Sequence, residues 1–117
     1  MSLIAESTIL APFEIWEVPL DDERTIKFHK PLILTPTWMP DDPDEPRSPD
    51  APRYLDVICP KLGIDVFADN IDDLIDFARS DIRFVWKHIV LKRDSDLDAK
   101  SRSIKWNHLA IAEVLDG

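Results

Sequence analysis

Glycine is almost absent from this chain of 117 residues, which has only Gly63 and Gly117. A phosphate-cradling P-loop or a dinucleotide-binding turn needs several glycines close together, so both are excluded. Cysteine is scarcer still. The single Cys59 rules out an internal disulfide and fits a reducing cytoplasm. It alternates with Leu55 and Val57, so it reads as a small buried hydrophobe rather than a reactive thiol. No apolar run approaches the roughly 20 residues that cross a bilayer. The opening MSLIAESTIL has neither a basic n-region nor a long apolar stretch, so no signal peptide is expected. There is no CxxC pair, no HExxH helix and no nucleophile elbow. With no nucleophile, base and orienting group in one place, the sequence predicts a non-enzymatic protein without a cofactor.

Positive charge is also in short supply. Acidic side chains number 23 against 14 basic ones, a formal net charge of −9. Such a field repels phosphate backbones, so direct nucleic-acid binding is not expected. It favours solubility and would attract a basic protein partner. Apolar side chains, by contrast, are plentiful: 44% of residues are hydrophobic and 32% charged, the balance of a folded globular chain. The length fits a single domain over residues 1–117.

Period-two patterning dominates the first half. In STILAPFEIWEV, β-branched and aromatic residues alternate and argue for a strand over 8–18, with Pro12 at an edge or bulge because it cannot donate to a ladder. LDDER reads as the turn of a hairpin. The return strand, over 25–37, places Ile26, Phe28, Leu32, Leu34 and Trp38 on one face, and Lys30–Pro31 marks a bend or bulge midway. His29 falls on the polar face without a second histidine, so it reads as a surface residue and not a ligand. YLDVIC (54–59) and IDVFA (64–68) are two further strands joined through Pro60 and Gly63, expected to pair antiparallel.

Between these halves, residues 40–53 hold five of the ten prolines among aspartates and glutamates, an acidic surface loop. Asp41, Asp42, Asp44, Glu45 and Asp50 lack the glycine turn that wraps a calcium ion, so a solvated spacer is the better reading.

The acid-rich stretch ADNIDD raises a sharper question. Asn70 is a favoured N-cap, Asp73 stands at the third helical position, and Asp72 lies in the first turn, so the carboxylates cap a helix. A divalent metal at Asp65, Asp69 and Asp72 is the alternative, since three clustered oxygens are the least that magnesium requires. The helix itself is expected over 70–92. Ile71, Ile75, Ala78, Ile82, Val85 and Ile89 step by 4, 3, 4, 3 and 4, widened by Leu74 and Trp86. Phe77, Phe84 and Leu91 recur every seven residues on the opposite side. A helix apolar on two sides must be covered twice. A second helix over 97–115, capped by Ser95 or Asp96, carries Ile104, Ile111 and Leu115, and His88 and His108 read as partly exposed imidazoles.

One segment resembles a known family. YLDVICPKLGIDVFADNIDDLIDFARSDI, residues 54–82, is similar to the HicB-like antitoxin domain. The shared features are a strand ending at Pro60, Leu62 and Gly63, a short strand, the Asn70 cap, and an amphipathic helix through Leu74 to Ala78. The resemblance implies a partial RNase-H-like α/β fold that is non-enzymatic and occludes a small RNA-cleaving toxin. In place of that family's glycine-rich hairpin this chain has the acidic proline loop, and Ala68 stands where a glycine precedes the helix. No basic DNA-binding half follows.

Together these readings predict an α+β domain of order β-β-β-β-α-α, with one antiparallel sheet of about four strands covered on one face by two helices. Ile26, Phe28, Leu55, Val57, Val66, Ile75, Ile82 and Ile89 should form its core. The expected role is a cytoplasmic, HicB-like protein-interaction module that docks a small basic protein and pairs with itself as a homodimer through Phe77, Phe84 and Leu91. Covered, those three side chains bury several hundred Å², given about 150–250 Å² for a large aromatic, and a paired two-fold interface is the commonest way to hide such a surplus. The alternative is a small metal-dependent enzyme using Asp65, Asp69 and Asp72.

Overall fold

The structure, a computed structural model, describes residues 10–39 and 54–116. The expected proline-rich loop at 40–53 and residues 8–9 of the first expected strand lie outside them.

β1 (Phe13–Pro19) and β2 (Arg24–Leu34) form the first antiparallel hairpin. Asp21 builds its turn, accepting the backbone N–H groups of Glu23 at 3.0 Å and Arg24 at 2.8 Å. It also takes the Arg24 guanidinium in a two-pronged contact at 2.9 and 2.8 Å. The ladder slips midway: Ile15 faces Leu32 but Glu17 faces Lys27. The irregularity expected at Lys30–Pro31 is therefore present, with Trp16 on the opposite strand. β3 (Thr37–Met39), β4 (Tyr54–Cys59) and β5 (Ile64–Ala68) follow. A single 3₁₀ turn, Pro60–Leu62, joins β4 to β5, and Gly63 leaves it at φ 69°, a left-handed conformation that glycine enters without strain. A Cβ on Gly63 would also meet the Ile104 side chain at 3.4 Å.

The architecture is α+β, but the strands divide differently from expectation. Among the described residues there are two three-stranded antiparallel sheets, ordered β1-β2-β6 and β3-β4-β5, rather than one sheet of four. Pro36 supplies the break. It has no N–H to donate, so β2 stops at Leu34 and the chain resumes at Thr37 in the second sheet. The first strand likewise begins at Phe13, after Pro12, instead of at residue 8.

The sixth strand is the larger correction. α2 (Ala99–Ile111) ends four residues before the expected position 115, and β6 (Ala112–Asp116) pairs with β2 from Phe28↔Ala112 to Arg24↔Asp116. Leu115 keeps helical spacing from Ile111, which conceals the strand, yet β2 offers an open edge that this segment completes. The cap of α2 is Asp98, whose side chain accepts the Ser101 N–H, instead of Ser95 or Asp96; Asp94–Asp96 forms its own 3₁₀ turn.

α1 (Ile71–Val85) starts where expected, but the helix does not continue regularly to residue 92. Trp86–Val90 is a π turn, closed by Leu91 N–H donating to Trp86 O at 3.0 Å. One residue is thereby inserted into the periodicity, so Val85 and Val90, five apart, are both buried. The core stripe runs through Leu74, Ala78, Ile82, Val85 and Trp86. Ile75, Ile89 and Val66 are half-buried at its margin, where full burial was expected, whereas Ile26, Phe28, Leu55, Val57 and Ile82 are fully enclosed. A single cluster of buried residues spans both sheets and both helices.

His108 closes the fold. Expected at the surface, it has no exposed area. Its Nδ1 accepts the Trp86 Nε1–H at 3.1 Å, so its Nε2 carries the proton and donates to Leu62 O at 2.8 Å. Beside it, Asn107 donates to Lys61 O at 2.8 Å. α2 is thus pinned to the π turn and to the β4–β5 turn together. Burial pushes the His108 imidazole below its ordinary value, an effect the Leu62 carbonyl only partly opposes.

Candidate interaction surface

The second sheet and α1 leave apolar side chains in solvent. Along β4, Leu55 and Val57 turn inward, while Tyr54 and Ile58 turn outward and are exposed. Along β5, Ile64 and Ala68 turn inward and Phe67 turns outward, with 66% of its surface in water. Tyr54 and Phe67 meet across the strands with ring centres 5.5 Å apart. On the cross-strand partner of Phe67, Thr37 Oγ1 donates to Asp56 Oδ1 at 2.7 Å, which gives that buried carboxylate a partner.

Past the end of this face, Ile58 and Phe84 line one groove of about 380 Å³ between the β4–β5 turn, α1 and α2. Ile64, Val85, Ile89 and Ile104 form its apolar lining, and Asp65, Asp81 and Lys100 its polar groups. Asp81 is partly buried in this groove. Its Oδ2 accepts the Asp65 backbone N–H at 3.1 Å. Burial, and secondarily the nearby Asp65 carboxylate, hold it above the ordinary range, although the Asp65 hydrogen bond works against them. Neither Asp65 nor Asp81 has a cationic partner among the described ion pairs.

A second concavity, of about 450 Å³, lies at the β2 irregularity among His29, Lys30, Leu32, Ile33 and Ile111. His29 Nε2 is 3.3 Å from Glu113 Oε2 there.

Of the residues singled out in the sequence, Phe77 and Phe84 are 47% and 58% exposed on α1, and α2 does not cover them. Leu91 is exposed too, but the π turn rotates it off the line those two define. Phe84 instead stacks on His88, with ring centres 4.4 Å apart. Asp73 is a cap residue: its N–H donates to Asn70 Oδ1 at 2.9 Å, and Asn70 Nδ2 returns a bond to its carboxylate at 3.1 Å. Asp72 lies in the same first turn. Among the described residues no three His, Cys, Asp or Glu side chains gather as a metal set, so Asp65, Asp69 and Asp72 do not converge. Cys59 is half-buried on the inner side of β4.

Sequence reasoning missed Phe67, Ile58 and Asp81. The signal for Phe67 was its phase: an aromatic on the opposite side of a five-residue strand from Ile64, Val66 and Ala68. Asp81 gave no local signal, because its neighbour Asp65 comes from another element. No described helix is long and apolar enough to cross a membrane. Compared with protein families, curated proteins and solved structures, the chain matches none.

Proposed function

We propose that this protein is a non-enzymatic, cytoplasmic protein-interaction module of HicB-like type, which pairs with itself along α1 and docks a small basic protein. The observation that carries the reading is the uncovered outer side of α1, where Phe77 and Phe84 stand in solvent near the carboxylates of Asp65 and Asp81, which have no partner among the described ion pairs. Exposed aromatics rimmed by polar groups mark association surfaces. At about 25 cal/mol per Å² of apolar area, covering two such rings contributes a few kcal/mol toward pairing with a second copy. The element order over 54–85, with strand, proline–glycine turn, strand and Asn-capped helix, is the one the antitoxin-domain resemblance implies, and it supports that comparison. The net charge of −9 supports a basic partner. A metal-dependent hydrolase at Asp65, Asp69 and Asp72 is not favoured by any observation.

The test is co-expression with the products of the flanking genes, followed by size-exclusion chromatography. The reading expects an equimolar complex with a short basic protein, lost when Asp65 and Asp81 are both changed to Lys. If no flanking product binds and the chain runs as a monomer, the reading fails.

A further inference from the structure

We propose that the free edge of β5 is where the basic partner adds an extended strand, its lysine or arginine side chains taking the Asp65 and Asp81 carboxylates. This rests on the reading of the protein as a binder of a basic partner, and it specifies where and how that partner sits. The backbone carries the argument first. β5 is terminal in the order β3-β4-β5, so one side of it has no strand among the described residues. Asp65 donates its N–H to Asp81 Oδ2, so that N–H points away from β4. In an antiparallel strand, alternate residues direct their N–H and C=O groups to the same side, so those of Phe67 face this free edge as well.

Asp81 therefore stands where the carbonyl of an added strand would stand. A charged side chain at a sheet edge blocks indiscriminate pairing, and it also discriminates between partners. A second copy of β5 would bring Asp65 and Asp81 against their own likenesses. A strand bearing lysine or arginine neutralises both, and a cation beside Asp81 offsets the burial that, with a smaller contribution from the Asp65 carboxylate, now disfavours its charged form. The side chains agree with this geometry. An added strand directs alternate residues onto the outer face of the sheet, where Phe67 is exposed, with Tyr54 and Ile58 beyond it on β4.

The ¹⁵N-labelled chain titrated with the peptide acetyl-Thr-Lys-Val-Arg-Val-Lys-Thr-amide tests this. The expected result is saturable shifts centred on the Asp65 and Phe67 amides, slowed exchange at Phe67, and no binding when glutamate replaces the basic residues. Asp65→Asn with Asp81→Asn should weaken binding roughly tenfold. Phe67→Pro, which removes the outward N–H, should abolish it. Because proline also perturbs β5, Phe67→Ala is its companion, keeps the N–H, and should bind to within a few-fold of the parent chain. Saturable shifts confined to Phe77 and Phe84, with the Phe67 amide unmoved, overturn the strand geometry and leave the basic-partner reading standing. No binding of the cationic peptide anywhere at millimolar concentration overturns both.

Discussion

The two sheets of this protein differ in how their outward charges are partnered. In β1-β2-β6 the charged outward positions are matched. Lys27 lies between Glu17 and Glu113, Arg24 faces Asp116, and His29 reaches Glu113. Trp16 and Ile33 are exposed in its irregular half, and Leu115 on β6. In β3-β4-β5 the exposed outward apolar residues are Tyr54, Ile58 and Phe67, and the Asp65 and Asp81 carboxylates at its edge have no cationic partner among the described ion pairs. Both sheets share one core, so the contrast does not come from a difference in folding. The charged outward positions are thus paired across the strands of the first sheet, whereas Asp65 and Asp81 at the edge of the second have no partner among the described ion pairs.

If the shared core is real, breaking it should destabilise both sheets together. Trp86→Ala removes the largest fully buried side chain and the donor to His108. It should cost about 3–5 kcal/mol, with a single cooperative transition in urea followed by circular dichroism. Separate transitions for the two halves would contradict the common core.

The His108 junction should be sensitive to acid. Its folded value lies below the ordinary 6.5 that the unfolded chain keeps, so the unfolded state takes up the proton first. The stability it contributes is complete above 6.5 and is lost as pH falls through that value toward the depressed one. A charged ring also sets an Nδ1–H against the Trp86 N–H. The urea midpoint should therefore drop between about pH 7.5 and 5.5, and drop less in His108→Gln.

A smaller effect is expected at the entry to α1. Asn70→Ala removes the cap that holds the Asp73 N–H and should cost about 1 kcal/mol in the same measurement. Smallest of all should be the change that sharpens the contrast between the sheets. Phe67→Ser takes away an aromatic that the core does not use, so stability should move by no more than about 0.5 kcal/mol. A loss of several kcal/mol there would mean that the outer face is structural.

Much of this architecture could be read from local pattern. The two hairpins, the Asn70 cap, the positive-φ glycine and the Lys30–Pro31 irregularity each depend on a few adjacent residues. What could not be read depends on distant partners. Ala112–Asp116 becomes a strand only because β2 has an open edge, and its helical spacing from Ile111 points the other way. The π turn responds to packing around Trp86 and His108, and by rotating Leu91 it breaks a seven-residue repeat that looked continuous. His108 looks like a surface histidine until the fold brings Trp86 and Leu62 to its two nitrogens. The candidate surface divides in the same way. Phe77 and Phe84 follow from helical period, whereas Asp81 matters through Asp65, a residue sixteen positions earlier.

The proposed pairing of two copies runs through the uncovered side of α1. Sedimentation equilibrium of the chain at micromolar concentration, beside Phe84→Asp, tests it most directly. A reversible dimer of twice 13.5 kDa is expected for the parent chain and a monomer for the variant. A parent chain that remains at 13.5 kDa across the range, or a dimer unaffected by Phe84→Asp, would contradict it.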